Sequence, residues 1–74
     1  MPQYYFHICD SLGVIADDEG MPLADLHAAR AEANMSMLEI VKRRIAAKQA
    51  IQNLSIEIAD GAGSLLDCIY AVPQ

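Results

Sequence analysis

The chain has 74 residues, of which 54 % are apolar, and ten acidic against five basic side chains give it a formal charge of −5. This length allows one small domain over residues 1–74, and the apolar content excludes a disordered chain. The longest apolar run falls far short of the ~20 residues of a membrane helix, and the first residues lack the basic region of a secretory signal. We therefore expect a cytoplasmic protein that makes no membrane contact.

The N-terminal segment predicts two strands joined by a turn. Residues 3–9 are rich in aromatic and β-branched side chains and alternate between two faces, as in a strand. Residues 10–13 form a turn, residues 14–16 a short second strand, and residues 17–22 a polar loop broken by Gly20 and Pro22. One face of the first strand carries Tyr4, Phe6 and Ile8, and the other carries Tyr5, His7 and Cys9.

The middle of the chain predicts one long helix. Asp25 is suited to be its N-cap, and residues 26–48 contain no Gly or Pro. At 100° per residue, one face collects the apolar side chains of Leu26, Ala29, Ala33, Met37, Ile40, Val41 and Ile45. We expect this helix, about 36 Å long, to overhang its own sheet and to leave Val41 and Ile45 uncovered.

The last third predicts a second hairpin, with strands at residues 54–58 and 64–72 and an end at Pro73. Its turn repeats the pattern Ile-x-Asp-x-x-Gly of the first hairpin, which is typical of a three-residue loop closed by a Gly bulge. Such a loop would place Ile58 opposite Leu66 and Ile56 opposite Cys68.

The predicted fold class is α+β, with a ββαββ chain order in which one long helix packs on a four-stranded, mainly antiparallel sheet. Two strand orders remain open. Counting the predicted strands along the chain, the order 2-1-3-4 is antiparallel throughout, whereas the order 2-1-4-3 makes the two central strands parallel.

Several segments resemble a known family over nearly the whole chain. They are Tyr4-Tyr5-Phe6-His7, the acidic-Gly stretch 17–20 and the helix start around Ala28-Ala29-Arg30-Ala31-Glu32-Ala33. This pattern is similar to that of a family of very short bacterial proteins, frequent in rhizobia and their relatives, that is classed as a domain of unknown function. The resemblance implies no activity, ligand or catalytic residue.

A weaker resemblance is to HicB-type antitoxins. These also begin with an aromatic strand, pass through an acidic-Gly loop and enter an Ala-rich helix. They usually carry an extra strand before the helix, and the loop at residues 17–22 is short for one.

Chemical sites are not favoured by the spacing of reactive residues. His7, Cys9 and Asp10 with His27 and Cys68 lack the close spacing of a zinc motif, and the acids at 17–19 lack the alternation of a calcium loop. The two cysteines form no CxxC pair and are expected to be reduced and buried. No cofactor, metal or enzymatic activity is expected.

The charge distribution singles out one basic patch. Four of the five cations, Lys42, Arg43, Arg44 and Lys48, lie in the last turns of the predicted helix, where cations complement the helix dipole. An accessory contact with nucleic acid through this patch is a further hypothesis, opposed by the net acidic charge.

Apolar side chains outside the expected core indicate an interaction surface. The second face of the sheet and the second side of the helix both carry such residues, and exposed patches of this kind are often interfaces. We expect a non-enzymatic protein-interaction or regulatory module, most simply a homodimer, with an antitoxin-like protein as the alternative. The candidate interface residues are Tyr5, His7, Met35, Leu38, Val41 and Ile45.

Overall fold

The structure, a computed structural model, describes residues 1–72, so the predicted strand end at Pro73 lies outside the described residues. It confirms the α+β class, with one helix and an antiparallel sheet. The elements in chain order are β1 (Gln3–Asp10), β2 (Gly13–Ile15), β3 (Met21–Pro22), α1 (Leu26–Ala46), β4 (Ser55–Ala59) and β5 (Leu65–Tyr70).

The sheet has five strands, where the sequence predicted four. The additional strand, β3, is a two-residue segment inside the expected polar loop, and it pairs with the start of β1 at Gln3 and Tyr4. Such a short element has no periodicity from which it could be recognised. The main order is β2-β1-β4-β5, antiparallel at every pair, so the order 2-1-3-4 of the predicted strands is the one adopted.

The core forms where the two central strands face the helix. Phe6 pairs with Ile58 and Ile8 with Ile56 across β1 and β4, which places these four side chains on one face of the sheet. Ile56 and Ile58 are completely buried. This row of large apolar side chains is the surface on which α1 packs.

Both ends of α1 are capped. The Asp25 carboxylate accepts a hydrogen bond from the N–H of Ala28 at 2.9 Å, as the N-cap prediction requires. The helix ends at Ala46 rather than Lys48, because Lys48 adopts a left-handed conformation with φ of 59°. The N–H groups of Lys48 and Gln49 then bond back to Ile45 and Arg44, so a Schellman-type cap forms without glycine.

The buried face of α1 is narrower than its apolar pattern suggests. Ala29 and Ala33 are completely buried, Met37 and Ile40 are nearly so, and Val41 packs partly buried against this core. Ile45 is 62 % exposed and does not join the core, as expected for a residue that the helix overhang leaves uncovered. Ile45 comes five positions after Ile40, so its side chain points about 140° away from that of Ile40 around the helix axis.

The second hairpin pairs one residue out of the predicted register. Ile58 lies opposite Asp67 and Ile56 opposite Ile69, so Ile69 faces the helix and Cys68 faces away from it. A bulge between Ile58 and Ala59 accounts for the shift, because one extra residue inverts the alternation of a strand.

The two hairpin turns differ, although their sequences repeat. In the second hairpin the three-residue loop is confirmed, since Asp60 and Ser64 bond across it and Gly63 has a φ of 85°. In the first hairpin Asp10 pairs directly with Gly13, so its loop has only two residues.

Within residues 1–72, no helix is long and apolar enough to cross a membrane.

The buried row on β4 generates a stability prediction. Replacing Ile58 by Asp should unfold the protein, because a carboxylate without a partner in this site costs several kcal/mol. Glu57→Lys should leave the protein folded, since Glu57 lies on the opposite face and is only partly buried. Thermal unfolding followed by circular dichroism compares the two variants, and equal midpoints would contradict this strand register.

Candidate functional site

The outward side of α1 carries a stripe of exposed apolar residues. Met35, Leu38 and Ile45, named here the outer stripe, are 66 %, 57 % and 62 % exposed. Met35 and Leu38 also line a shallow groove of about 240 Å³ whose other walls include Glu32 and Glu39. Three large apolar side chains in such positions would gain free energy from a covering surface.

Val41 does not belong to this stripe, although the sequence placed it in the candidate interface. It is partly buried and packs against the core cluster that contains Met37 and Ile40. The prediction that a helix overhang leaves Val41 uncovered is therefore wrong. Of the two residues named for the overhang, only Ile45 is exposed.

Tyr5 and His7 lie on the far side of the molecule from the outer stripe. Along β1, Tyr5 and His7 alternate with Tyr4 and Phe6, which face the helix. Tyr5 and His7 therefore point to the sheet face that α1 does not cover. We call this surface the open face. Both residues are partly buried there. The candidate interface predicted from the sequence is thus divided between two opposite surfaces.

The open face holds a group of polar and thiol side chains in two rows. His7, Glu57 and Cys68 form one row across β1, β4 and β5, and Cys9, Ser55 and Tyr70 form the next. Burial raises the pKa of the Cys9 thiol, and the neighbouring Glu57 carboxylate raises it further. A thiol with a raised pKa is a poor nucleophile at neutral pH.

One of the four cations in the basic patch, Arg44, is engaged in contacts within the protein. The Arg44 guanidinium donates to the Asp10 carboxylate at 3.0 Å and to the backbone carbonyl of Ala50 at 3.3 Å. The hydrogen bond from Arg44 lowers the pKa of Asp10. Lys42, Arg43 and Lys48 remain exposed, and Lys48 also serves as the left-handed residue of the helix cap.

The segment that the sequence predicts as a polar loop is attached to β1 through Asp17. The Asp17 carboxylate accepts hydrogen bonds from the N–H groups of Phe6, Glu19 and Gly20, each at 3.1 Å. Partial burial acts to raise the pKa of Asp17, but these hydrogen bonds outweigh it and lower the pKa. The N–H of Asp17 donates to Nδ1 of His7 at 3.0 Å.

Gly20 allows the same loop to approach β1 closely. Its φ is 75°, and a Cβ added there would lie 2.8 Å from the Tyr5 ring and 3.0 Å from the Tyr4 carbonyl oxygen. The sequence signal was present in the Asp-x-x-Gly spacing of residues 17–20, which is typical of a side-chain-closed turn. We call residues 16–20 the edge loop.

Among the described residues, no three His, Cys, Asp or Glu side chains are grouped so that they could hold a metal ion.

Comparison with known proteins identifies the family. The model of a family described as Domain of unknown function (DUF6894) matches residues 3–72, and the chain belongs to this family. This confirms the expectation that the chain belongs to a domain family of unknown function. No curated protein and no solved structure matches the chain.

The strand order generates a prediction for the two thiols. Cys9 and Cys68 lie on β1 and β5, and β4 separates these strands by two spacings of about 4.8 Å each. This separation exceeds the ~7 Å between Cα atoms that a disulfide can bridge, so both cysteines should stay free and should alkylate once the protein is unfolded without a reductant. Intact mass after alkylation should show two adducts on a monomeric chain; an unalkylated mass two hydrogens low would contradict the order.

The Asp17 contacts generate a prediction for stability against pH. Because the pKa of Asp17 is lower in the folded than in the unfolded chain, its contribution is present above the unfolded value of about 3.9 and is lost as the pH falls through the folded one. Asp17→Asn should cost about 1–3 kcal/mol at neutral pH and reduce the loss of stability below pH 4. Denaturant unfolding at pH 7 and pH 3 measures both effects.

The matched control is Asp18→Asn, which removes one charge from an exposed neighbour. It should leave the stability at both pH values close to that of the parent chain. Equal effects of the two substitutions would show that net charge, and not the Asp17 hydrogen bonds, governs the acid response.

Proposed function

We propose that this protein is a small non-enzymatic protein-interaction module that forms a homodimer through the outer stripe of α1. The observation that carries the proposal is the stripe itself, with three large apolar side chains more than half exposed on a helix whose other side is the core. Exposed apolar surface on this scale in so small a domain is typical of an interface.

The stripe has the spacing of a helix pair. Ala31, Leu38 and Ile45 recur at intervals of seven residues, with Met35 between the first two. A seven-residue apolar repeat keeps one seam of a helix turned toward a second helix. In an antiparallel pair with its axis at Leu38, the small Ala31 of each copy lies opposite the large Ile45 of the other.

Two of the charges beside the stripe match the same arrangement. Glu32 and Arg43 are eleven residues apart, which returns them to within about 20° of each other on the helix and places them on one flank of the stripe. The midpoint between them also falls next to Leu38. A two-fold axis there sets Glu32 of each copy beside Arg43 of the other, a self-complementary patch.

The open face is less suited to the same two-fold contact. Glu57 lies at its centre, in register between His7 and Cys68. Two copies stacked face to face would bring two carboxylates together, which is unfavourable in a desolvated interface. Tyr5 and His7 are therefore left out of the proposed dimer contact, and Val41 is left out because it contributes to the core.

The dimer is tested by its mass and by one substitution in the stripe. Light scattering at micromolar concentration should give twice the 8.0 kDa mass of one chain. Leu38→Glu should weaken the dimer about tenfold or more, because it places a charge at the centre of the contact. Leu12→Glu is the matched control, since Leu12 is 95 % exposed in the first hairpin and should leave the dimer intact.

Charge reversal tests the antiparallel arrangement independently. Glu32→Arg and Arg43→Glu should each weaken the dimer modestly, since a surface ion pair contributes about 0–1 kcal/mol. The double variant should recover part of the loss. A monomer that persists at high concentration would contradict the dimer, and a dimer insensitive to all these changes would contradict this interface.

A cytoplasmic location is part of the proposal. It is supported by two free thiols held on non-neighbouring strands, which need no oxidising compartment for folding. Nucleic acid is not a proposed partner, because the chain is net acidic and the guanidinium of Arg44 is already paired with Asp10.

A second candidate function is neutralisation of a small toxin, as in the HicB-type antitoxins that the sequence resembles weakly. Strand β3 favours it, because an extra strand before the helix is the feature whose lack counted against that resemblance. The test is co-purification from the native host: recovery of a stoichiometric small protein partner supports this function, and recovery of the chain alone argues against it.

A further inference from the structure

One edge of β1 is covered in three sections by different means. β2 pairs with Ile8–Asp10 at one end and β3 with Gln3 and Tyr4 at the other. Between them, at Phe6, the strand partner is replaced by the edge loop, whose Asp17 carboxylate accepts the Phe6 N–H. An uncovered strand edge can pair with another chain, so this loop protects the middle of β1.

His7 holds the edge loop through a bond that only the neutral imidazole can make. Its Nδ1 accepts the hydrogen bond from the N–H of Asp17 at 3.0 Å, so this nitrogen carries no proton and the neutral ring carries its proton on Nε2. Protonation converts Nδ1 into a donor that faces another donor. The bond to Asp17 is then lost, whatever the surroundings of the ring.

The groups around His7 oppose one another. Glu57 on β4 lies directly opposite in the sheet, Cys68 on β5 lies beyond it, and Tyr5 and Cys9 flank His7 on its own strand. The edge loop brings the Asp17 carboxylate, with Asp18 and Glu19 in the same loop. The carboxylates attract a charged ring, whereas the bond from the Asp17 N–H can form only with the neutral ring.

We propose that His7 is a pH-dependent latch on the edge loop. The neutral ring helps to keep residues 16–20 against β1, and protonation breaks its bond to the Asp17 backbone, so that the loop opens more often and the Phe6 N–H is uncovered for more of the time. The latch is independent of the proposed dimer, since His7 and α1's outer stripe lie on opposite sides of the molecule.

The first test uses the unmodified protein and its two histidines. Nitrogen-15 NMR at neutral pH should show His7 with an unprotonated Nδ1 and a protonated Nε2, while His27, exposed on α1, serves as the internal reference. As His7 titrates, hydrogen-exchange protection of the Asp17 and Phe6 amides should fall roughly 2- to 10-fold, the ratio that corresponds to one net hydrogen bond. A neutral His7 protonated on Nδ1, or amide protection unchanged through the titration, would overturn the latch.

The second test uses a substitution that keeps the acceptor and removes the titration. In His7→Asn the side-chain oxygen can take the place of Nδ1, so the Asp17 amide should stay protected across the same pH range. His27→Gln should retain the parent behaviour. If His7→Asn shows the same loss of protection as the parent chain, the loop responds to another group and the proposal fails.

Discussion

The structure depends on the close contact between the alanine face of α1 and the isoleucines of β4. Ala29 and Ala33 have side chains small enough to let the helix backbone approach the sheet, and Ile56 and Ile58 are completely buried in the same core cluster. Arg30 and Arg44 on the helix also form ion pairs with Asp67 on β5 and Asp10 on β1. With one helix and one sheet, this contact leaves two other surfaces without a covering layer.

These two surfaces differ in chemical character: one is an apolar helix stripe and the other is a polar sheet face. The outer stripe of α1 is apolar, has a seven-residue spacing and carries opposite charges on one flank, which suits a second copy of the same helix. The open face is built around Glu57 with thiols, a histidine and tyrosines, and connects through His7 to the edge loop. The proposed dimer contact and the proposed pH-dependent latch therefore lie on opposite sides of one small domain.

The sequence by itself determined the elements whose causes are local. Alternation in residues 3–9 and 54–58 predicts β1 and β4, and the lack of Gly and Pro after Asp25 predicts α1 and its N-cap. Met35 and Leu38 could be recognised as outside the core because their angular positions on a helix are fixed by sequence spacing alone. The family membership also follows from the string of residues, since the match covers nearly the whole chain.

Only the tertiary structure decided features that depend on contacts between distant residues. The bulge at Ile58 and Ala59 shifts the pairing of β5 by one residue, which exchanges the two faces of its side chains. Nothing in the repeat of Asp-x-x-Gly distinguishes a two-residue from a three-residue loop. Val41 and Ile45 lie only about 40° apart around the helix axis, but the position of the sheet under α1 partly buries Val41 and leaves Ile45 exposed. Asp17 is one of three consecutive acids in the sequence; its role arises because β1 leaves the Phe6 N–H without a strand partner at that point.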